Sequence, residues 1–343
     1  MIIQEGLVRV EVPDEHRVRG PGKRGPGFYN ADQKINRDLT VAYVSTVRPS
    51  FFLDAFGGSG IRGIRVERET GTRTVISEIN PVSAATIEEN ISRNGSRCTL
   101  IGDNCETVMS EFKFDFIDID PYGSALPYID SALRNVKNGG HIGVTATDLS
   151  ALTGSAGKVT RRRYSANLTV DSLKHEKGIR LLIRAVIERG AQYEMAAEPM
   201  MSFWHSHFYR VIFRVTRGAG RCDRLLEEIS PILLNGREEG PLWLGKLETR
   251  LLDRTLRAPE HVASDIRAGR FLRNLPDEDL MPLFIDLGDR EIFNGGDIPS
   301  VSRTVARLAE NGFAASRTHF SPTGIKIGGE WDISEIRKIA YAK

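Results

Sequence analysis

Apolar and polar positions in the first two thirds of the chain switch repeatedly between two periodicities. Phe51-Phe52-Leu53-Asp54-Ala55-Phe56 is a short apolar run, followed by a glycine turn and an amphipathic stretch ending near Glu69, which reads as strand, loop and helix. The unit then recurs. Thr74 to Glu78 is a second strand and Pro81 to Asn94 its helix, with Pro81 in a first turn where its missing N–H has no partner to lose. Cys98 to Gly102 is a short third strand and Phe114 to Ile119 a fourth. Ser124 to Val136 is the next helix, closed by Gly139-Gly140, and His141 to Thr147 is the fifth strand. A helix over Leu173 to Arg189 precedes two further strands, Tyr193 to Phe203 and His207 to Thr216, joined by a short turn.

Near-continuously apolar strands alternating with helices predict a parallel sheet covered on both faces, so the expected fold class is α/β: doubly wound, mostly parallel and seven-stranded, with a terminal antiparallel hairpin. At 343 residues the chain exceeds the roughly 250 to 300 residues at which single cores stop growing, and two domains are expected, 1–217 and 218–343. Beyond Gly218 the pattern is less regular. Val301 to Asn311 reads as a short amphipathic helix, followed by Gly312 and a strand-turn-strand over Phe313 to Ile327, the end of a smaller α+β domain shaped like a winged helix. Such units also serve as plain scaffolding.

Composition changes this picture little: 40% hydrophobic and 27% charged residues are those of a folded globular chain. The first residues carry no basic stretch, and no run of about 18 apolar residues occurs, so neither a signal peptide nor a membrane span is expected and the cytoplasm is the default compartment. Cys98, Cys105 and Cys222 are scattered, a spacing that predicts neither a disulfide framework nor a thiolate metal site. Net charge is +2, but basic residues cluster. Arg17, Arg19, Lys23, Arg24, Lys34 and Arg37 face one acid, Asp32; Lys158, Arg161, Arg162, Arg163, Lys174, Lys177, Arg180, Arg184 and Arg189 face three, Asp171, Glu176 and Glu188. Both segments fit phosphate-backbone contact or, equally, solvated faces.

Candidate chemistry begins after the first strand. Gly58-x-Gly60-x-x-Gly63 matches the dinucleotide-binding spacing, in which glycines let the backbone turn tightly and approach a ligand. Asp54, immediately before it, would repel a pyrophosphate but suits an ammonium. Acids recur at later strand ends: Glu78 is placed for two ribose hydroxyls and Asp103 for an adenine amine. The set points to S-adenosylmethionine rather than a nicotinamide dinucleotide, the ligand that Glu78 alone would equally suit.

The fourth strand ends in Asp118-Ile119-Asp120-Pro121-Tyr122-Gly123, similar to the D/N-P-P-Y/F/W signature of methyltransferases acting on exocyclic amines. A nucleobase amine is a weak nucleophile because its lone pair is delocalised. A carboxylate, Asp120, and the carbonyl of Pro121 would each accept one N–H and turn the lone pair toward the methyl group, while Tyr122 stacks on the base. Asp118, on the same strand face, is a second carboxylate in the site or, preferably, an anchor for a neighbouring loop.

At these residues the chain resembles the tRNA guanine-N2 dimethyltransferase family, whose product is N2,N2-dimethylguanosine at position 26 of tRNA. The likeness includes Phe28-Tyr29-Asn30, Asn36-Arg37-Asp38, Leu53-Asp54-Ala55, Gly60 to Arg65, Phe116 to Ser124, Gly143 to Asp148, Gly240 to Gly245 and Arg317 to Lys326. A terminal hairpin on a parallel sheet is likewise similar to the end of the class I methyltransferase sheet. The resemblance implies that Arg37, Arg62, Glu78, Asp103 and Asn104 contact S-adenosylmethionine, that Phe28 and Tyr122 sandwich a flipped guanine beside Asp120, and that the basic segments meet tRNA. It also implies a tRNA-gripping C-terminal domain. Many family members carry cysteines after the position of Asp148, and Ala151 to Lys158 has none; His175 reads as structural. From the residues alone, methylation of another exocyclic amine in DNA or protein glutamine, a non-catalytic RNA binder and a dehydrogenase remain as alternatives. The oligomeric state is left open.

Overall fold

The computed structural model describes residues 1–13, 25, 27–248, 260, 262, 277–293 and 297–342. Arg17, Arg19, Lys23 and Arg24 of the first basic segment lie outside the described residues. The chain opens with a hairpin, β1 (Ile2–Glu5) and β2 (Val8–Glu11), and helix α1 (Lys34–Val47). The α/β core follows: β3 (Phe51–Asp54), α2 (Ile61–Thr70), β4 (Arg73–Ser77), α3 (Pro81–Arg93), β5 (Thr99–Ile101), α4 (Cys105–Glu111), β6 (Phe114–Ile119), α5 (Leu126–Asn135) and β7 (Val136–Ala146). Helices α6 (Leu149–Leu152), α7 (Gly157–Tyr164) and α8 (Lys174–Ala191) lead to β8 (Met195–His205) and β9 (Phe208–Arg217).

Seven strands form one sheet in the order β5-β4-β3-β6-β7-β9-β8. The pairings from β5 to β7 are parallel and β9 runs antiparallel to both its neighbours, so the doubly wound sheet with a terminal hairpin is as expected. Period two divides the strands between two cores. Leu53, Ile117, Ile119, Ile142 and Val144 meet residues of α5 and α8 on one face, while Phe52 and Phe116 meet Leu39, Val41 and Val66 of α1 and α2 on the other. After β3 the chain works outward through β4 to β5, then returns to place β6 on the other side of β3. The crevice between the carboxyl ends of β3 and β6 is thus the switch point at which open α/β sheets bind ligands.

One punctuation reading is corrected. Gly139-Gly140 does not close α5, whose C-cap Val136 N–H already bonds the Ala132 carbonyl. The glycines sit inside β7 in a bulge: Val136 pairs with Phe114, and the ladder resumes only at His141 opposite Phe116. A Cβ on Gly140 would lie 2.8 Å from the Asp115 carbonyl oxygen, which is why the position takes glycine.

Past β9 come α9 (Ala219–Glu227) and the hairpin β10 (Ile229–Leu234) and β11 (Arg237–Trp243). Leu242, Trp243 and Leu247 pack into the first core, under α8. A separate core holds Ile285, Val301, Leu308, Ile325, Ile327 and Ile336, built from helices Val301–Glu310 and Ile333–Tyr341 and the three-stranded sheet β12 (Ile285–Asp286), β14 (Gly324–Ile327), β13 (Ala315–Arg317). It joins the first part through buried charge. Lys326 Nζ lies 2.5 Å from Glu176 Oε1 on α8, Arg180 Nε donates to the same oxygen at 2.9 Å, and His319 pairs through Nδ1 with Glu278 at 2.8 Å. His319 Nε2 also accepts the backbone N–H of Trp204 at 3.1 Å. The ring of His175, read as structural, stacks on Trp204 with centroids 3.9 Å apart.

Candidate active site

A cavity of about 460 Å³ opens at the switch point, within the roughly 300–1,000 Å³ common for small-molecule sites. Of the residues singled out in the sequence, Phe28, Arg37, Gly58, Arg62, Glu78, Asp120, Pro121 and Tyr122 line it. Asp54, Gly60, Asp103 and Asn104 do not. Asp54 is buried beneath the glycine loop, its Oδ2 accepting the Gly63 N–H at 2.9 Å; Asn104 is the N-cap of α4, its Oδ1 accepting from Glu106 N–H at 2.9 Å, and Asp103 is exposed beside it. Glu78 braces the loop: one oxygen accepts the Gly58 N–H at 2.9 Å and the other the Asn80 N–H at 2.8 Å. Gly58 has φ +58, and a Cβ there would come within 3.2 Å of the Phe28 carbonyl oxygen, so the glycine permits both the turn and the close approach of the Phe28 backbone.

The end of β6 carries the charge. Asp118 is fully buried and bound two-pronged by Arg210 of β9, Nη1 to Oδ1 at 3.0 Å and Nη2 to Oδ2 at 2.5 Å, which makes it the anchor rather than a second carboxylate in the cavity. Asp120 lines the cavity. Its Oδ2 receives Arg62 Nη2 and, at 3.3 Å, Asn36 Nδ2, while among the described residues no donor occupies Oδ1. Burial holds the Asp120 carboxyl above the usual carboxylate range, with Arg62 opposing and Asp118 adding to it. Thr40 Oγ1 ties the arginines together, accepting from Arg62 at 3.1 Å and from Arg210 at 3.0 Å. Gly123 is locked to Thr147, the residue after β7, by reciprocal bonds, 2.8 Å to its hydroxyl and 3.0 Å from its N–H.

Phe28 and Tyr122 touch across the cavity, ring centroids 4.7 Å apart and planes inclined at 58°. Arg37 lines the wall but spends its guanidinium on Glu5, with bonds of 2.8 Å from Nε and from Nη2. Burial raises the Glu5 carboxyl, but Arg37 and Arg65 outweigh that and hold it at about 2. Gln33, Thr40, Arg210 and His207 escaped the sequence reading, and Asn36 entered it only as part of the family likeness, with no role. Gln33, Asn36 and Thr40 could have been found from their spacing of three and four, one stripe of a helix; Arg210 and His207 carry no local signal. The second basic segment divides. Lys177, Arg180 and Arg184 are buried against Glu239, Glu176 and the Tyr164 carbonyl, so for these three the phosphate-contact reading is overturned, whereas Lys158, Arg161 and Arg162 are exposed on α7.

The sheet order, the glycine loop at its switch point and an acid-proline-aromatic strand end place the chain among the α/β methyltransferases. The model of the family described as N2,N2-dimethylguanosine tRNA methyltransferase matches residues 6–236. Proteins named tRNA (guanine(26)-N(2))-dimethyltransferase from Thermoplasma acidophilum and Thermoplasma volcanium are 42% and 41% identical to it, over 98% of this chain and 96% of the first relative and over the full length of both chains for the second. The solved complex of Trm1 from Pyrococcus horikoshii with S-adenosyl-L-methionine superimposes with a TM-score of 0.87 at 25% identity, covering 99% of each chain. The chain belongs to the N2,N2-dimethylguanosine tRNA methyltransferase family.

Proposed function

We propose that this protein transfers two methyl groups from S-adenosylmethionine to the exocyclic N2 of guanine 26 in tRNA. The observation that carries the reading is Asp120: a carboxylate at the end of β6 with one oxygen clamped by Arg62 and Asn36 and the other turned to the cavity. Free Oδ1 accepts one N–H of the amine, and the carbonyl of Pro121 accepts another, so the nitrogen lone pair is drawn out of the ring and aimed. A carboxyl held above its usual range by burial is also the better base, and Asp120 takes the proton that the nitrogen loses on methylation.

The residues present fit the cofactor. Glu78, Gly58, Ser59, Arg62 and Arg37 surround the cavity, and Asp54, with one buried oxygen lacking a partner among the described residues, lies under the loop where an amino group would be received. Asp103 and Asn104 follow β5 at the same edge and complete the adenosine end. S-adenosylmethionine supplies there an electrophilic methyl on a sulfonium. Phe28 and Tyr122 hold the flipped base: a ring between them needs two van der Waals separations of roughly 3.5 Å each, more than the 4.7 Å observed, so Tyr122, 39% exposed, swings outward as the base enters. Residues 218–343 and the exposed arginines of α7 grip the tRNA, in the cytoplasm.

Purified protein, labelled cofactor and an unmodified tRNA transcript should yield methylated guanine by nucleoside mass spectrometry. Asp120→Asn should lose about 100- to 10,000-fold in kcat while S-adenosylhomocysteine still stabilises it against heat. No methylated guanine from the wild type would sink the reading.

A further inference from the structure

Gln33 is 93% buried by the 7% exposure of its side chain and backbone, yet it lines the cavity. The direction of its carboxamide follows from its neighbours. Asp120 Oδ2 is an acceptor, so the Asn36 atom facing it at 3.3 Å is the donor Nδ2. The same Nδ2 lies 2.8 Å from Gln33, which must therefore offer its acceptor Oε1. Gln33 Nε2 is left on the other arm of the amide, and no hydrogen-bond partner for it is found among the described residues, while Gln33 lines the cavity. An oriented donor that opens to the cavity next to Asp120 is placed for a ligand acceptor to complete it.

We propose that Gln33 is a specificity-determining residue, donating from Nε2 to the O6 carbonyl of the target guanine; the proposal rests on the methyltransferase reading above. With the 2-amino group on Asp120 and Pro121, the acceptor remaining on the Watson–Crick edge is O6. A purine with an amino group at C6 would set donor against donor, so the same residue that favours guanine rejects its 6-amino counterpart. The chain of contacts also couples recognition to chemistry: Gln33 Oε1 holds Asn36, and Asn36 holds Asp120, so a base that seats on Gln33 steadies the carboxylate that receives its amine.

The test uses the full chain and two tRNA substrates, assembled by ligation, that carry guanine or 2,6-diaminopurine at the target position. Both present the same 2-amino group. The wild type should prefer guanine by about 10- to 100-fold in kcat/KM, the worth of one hydrogen bond made against one left unsatisfied. Gln33→Glu keeps the oxygen that faces Asn36 and replaces the donor by an acceptor; its preference should fall at least about 10-fold, through both a loss on guanine and a gain on diaminopurine. Gln33→Met, which fills the space without a donor, should shrink the preference as well. A wild type that methylates neither substrate removes the methyltransferase reading itself. Active variants whose ratio matches the wild type, or whose kcat/KM falls equally on both bases, overturn the assignment of O6. Thermal stabilisation by S-adenosylhomocysteine identifies a variant that has merely lost its fold, and Gln33→Met then decides.

Discussion

Asp54→Asn offers the most direct measurement of how burial sets charge beneath the cofactor loop. Asp54 is 1% exposed, with Oδ2 on the Gly63 N–H and Oδ1 buried without a partner among the described residues. Burial raises its carboxyl to about 7; Arg62 opposes this, and Asp118 and Asp120 reinforce it. An unfolded aspartate titrates near 4, so between about pH 4 and 7 the native state binds a proton that the unfolded state has lost, and stability falls as pH rises. Integrating the linkage from pH 5 to pH 8 gives a loss of about 2–3 kcal/mol from this one group. Asparagine keeps the shape and does not titrate. Urea unfolding of both proteins, without cofactor, should therefore show the stability difference moving by about 2–3 kcal/mol in favour of the variant between those two pH values. A difference that stays constant within about 0.5 kcal/mol, or moves the other way, would refute the claim that desolvation dominates at this carboxyl.

Two further substitutions test the buried charges. Arg210→Met leaves Asp118 without its two-pronged partner and should cost about 3–5 kcal/mol, read as a lower urea midpoint, whereas adding Asp118→Leu to it should recover most of the loss. Lys326→Met leaves Glu176 with Arg180 alone and should lower the melting temperature by about 5–10 °C, with faster amide exchange over 315–327; unchanged exchange there would mean that the pair does not hold the C-terminal unit.

What the sequence made legible was whatever is periodic or local. The seven strands emerged from apolar runs, and the strand-end acids from their position after those runs. Helix α1 did not, because Asn36, Arg37, Asp38 and Thr40 are buried polar residues that break the apolar stripe a helix normally shows. The opening hairpin was overlooked although Val8, Val10 and Val12 alternate at period two and are buried. Gly139-Gly140 looked like the end of a helix because a bulge and a cap draw on the same residue type. The stretch Arg317 to Lys326 was distinctive without any visible reason. Its reason is tertiary: Thr318, His319 and Lys326 all converge on Glu278 and Glu176, which are 40 to 150 residues away along the chain.

The same distance explains why composition could not reveal how the site is charged. Three carboxylates, Asp54, Asp118 and Asp120, stand at the adjacent ends of β3 and β6, and two guanidiniums, Arg62 and Arg210, stand among them. Arg210 is committed to Asp118, and Arg62 lies on Asp120 and 3.6 Å from Asp118. Burial raises Asp54 to about 7, the carboxyl with a single backbone donor and no guanidinium in salt-bridge contact among the described residues. Asp118 remains the anchor held by Arg210, while Asp120, clamped on one oxygen by Arg62 and Asn36, lines the cavity. The placement of two arginines among three acids at the ends of β3 and β6 therefore separates a structural carboxylate from one open to a ligand, a division that depends on Arg210, 92 residues further along the chain than Asp118, and that no local pattern records.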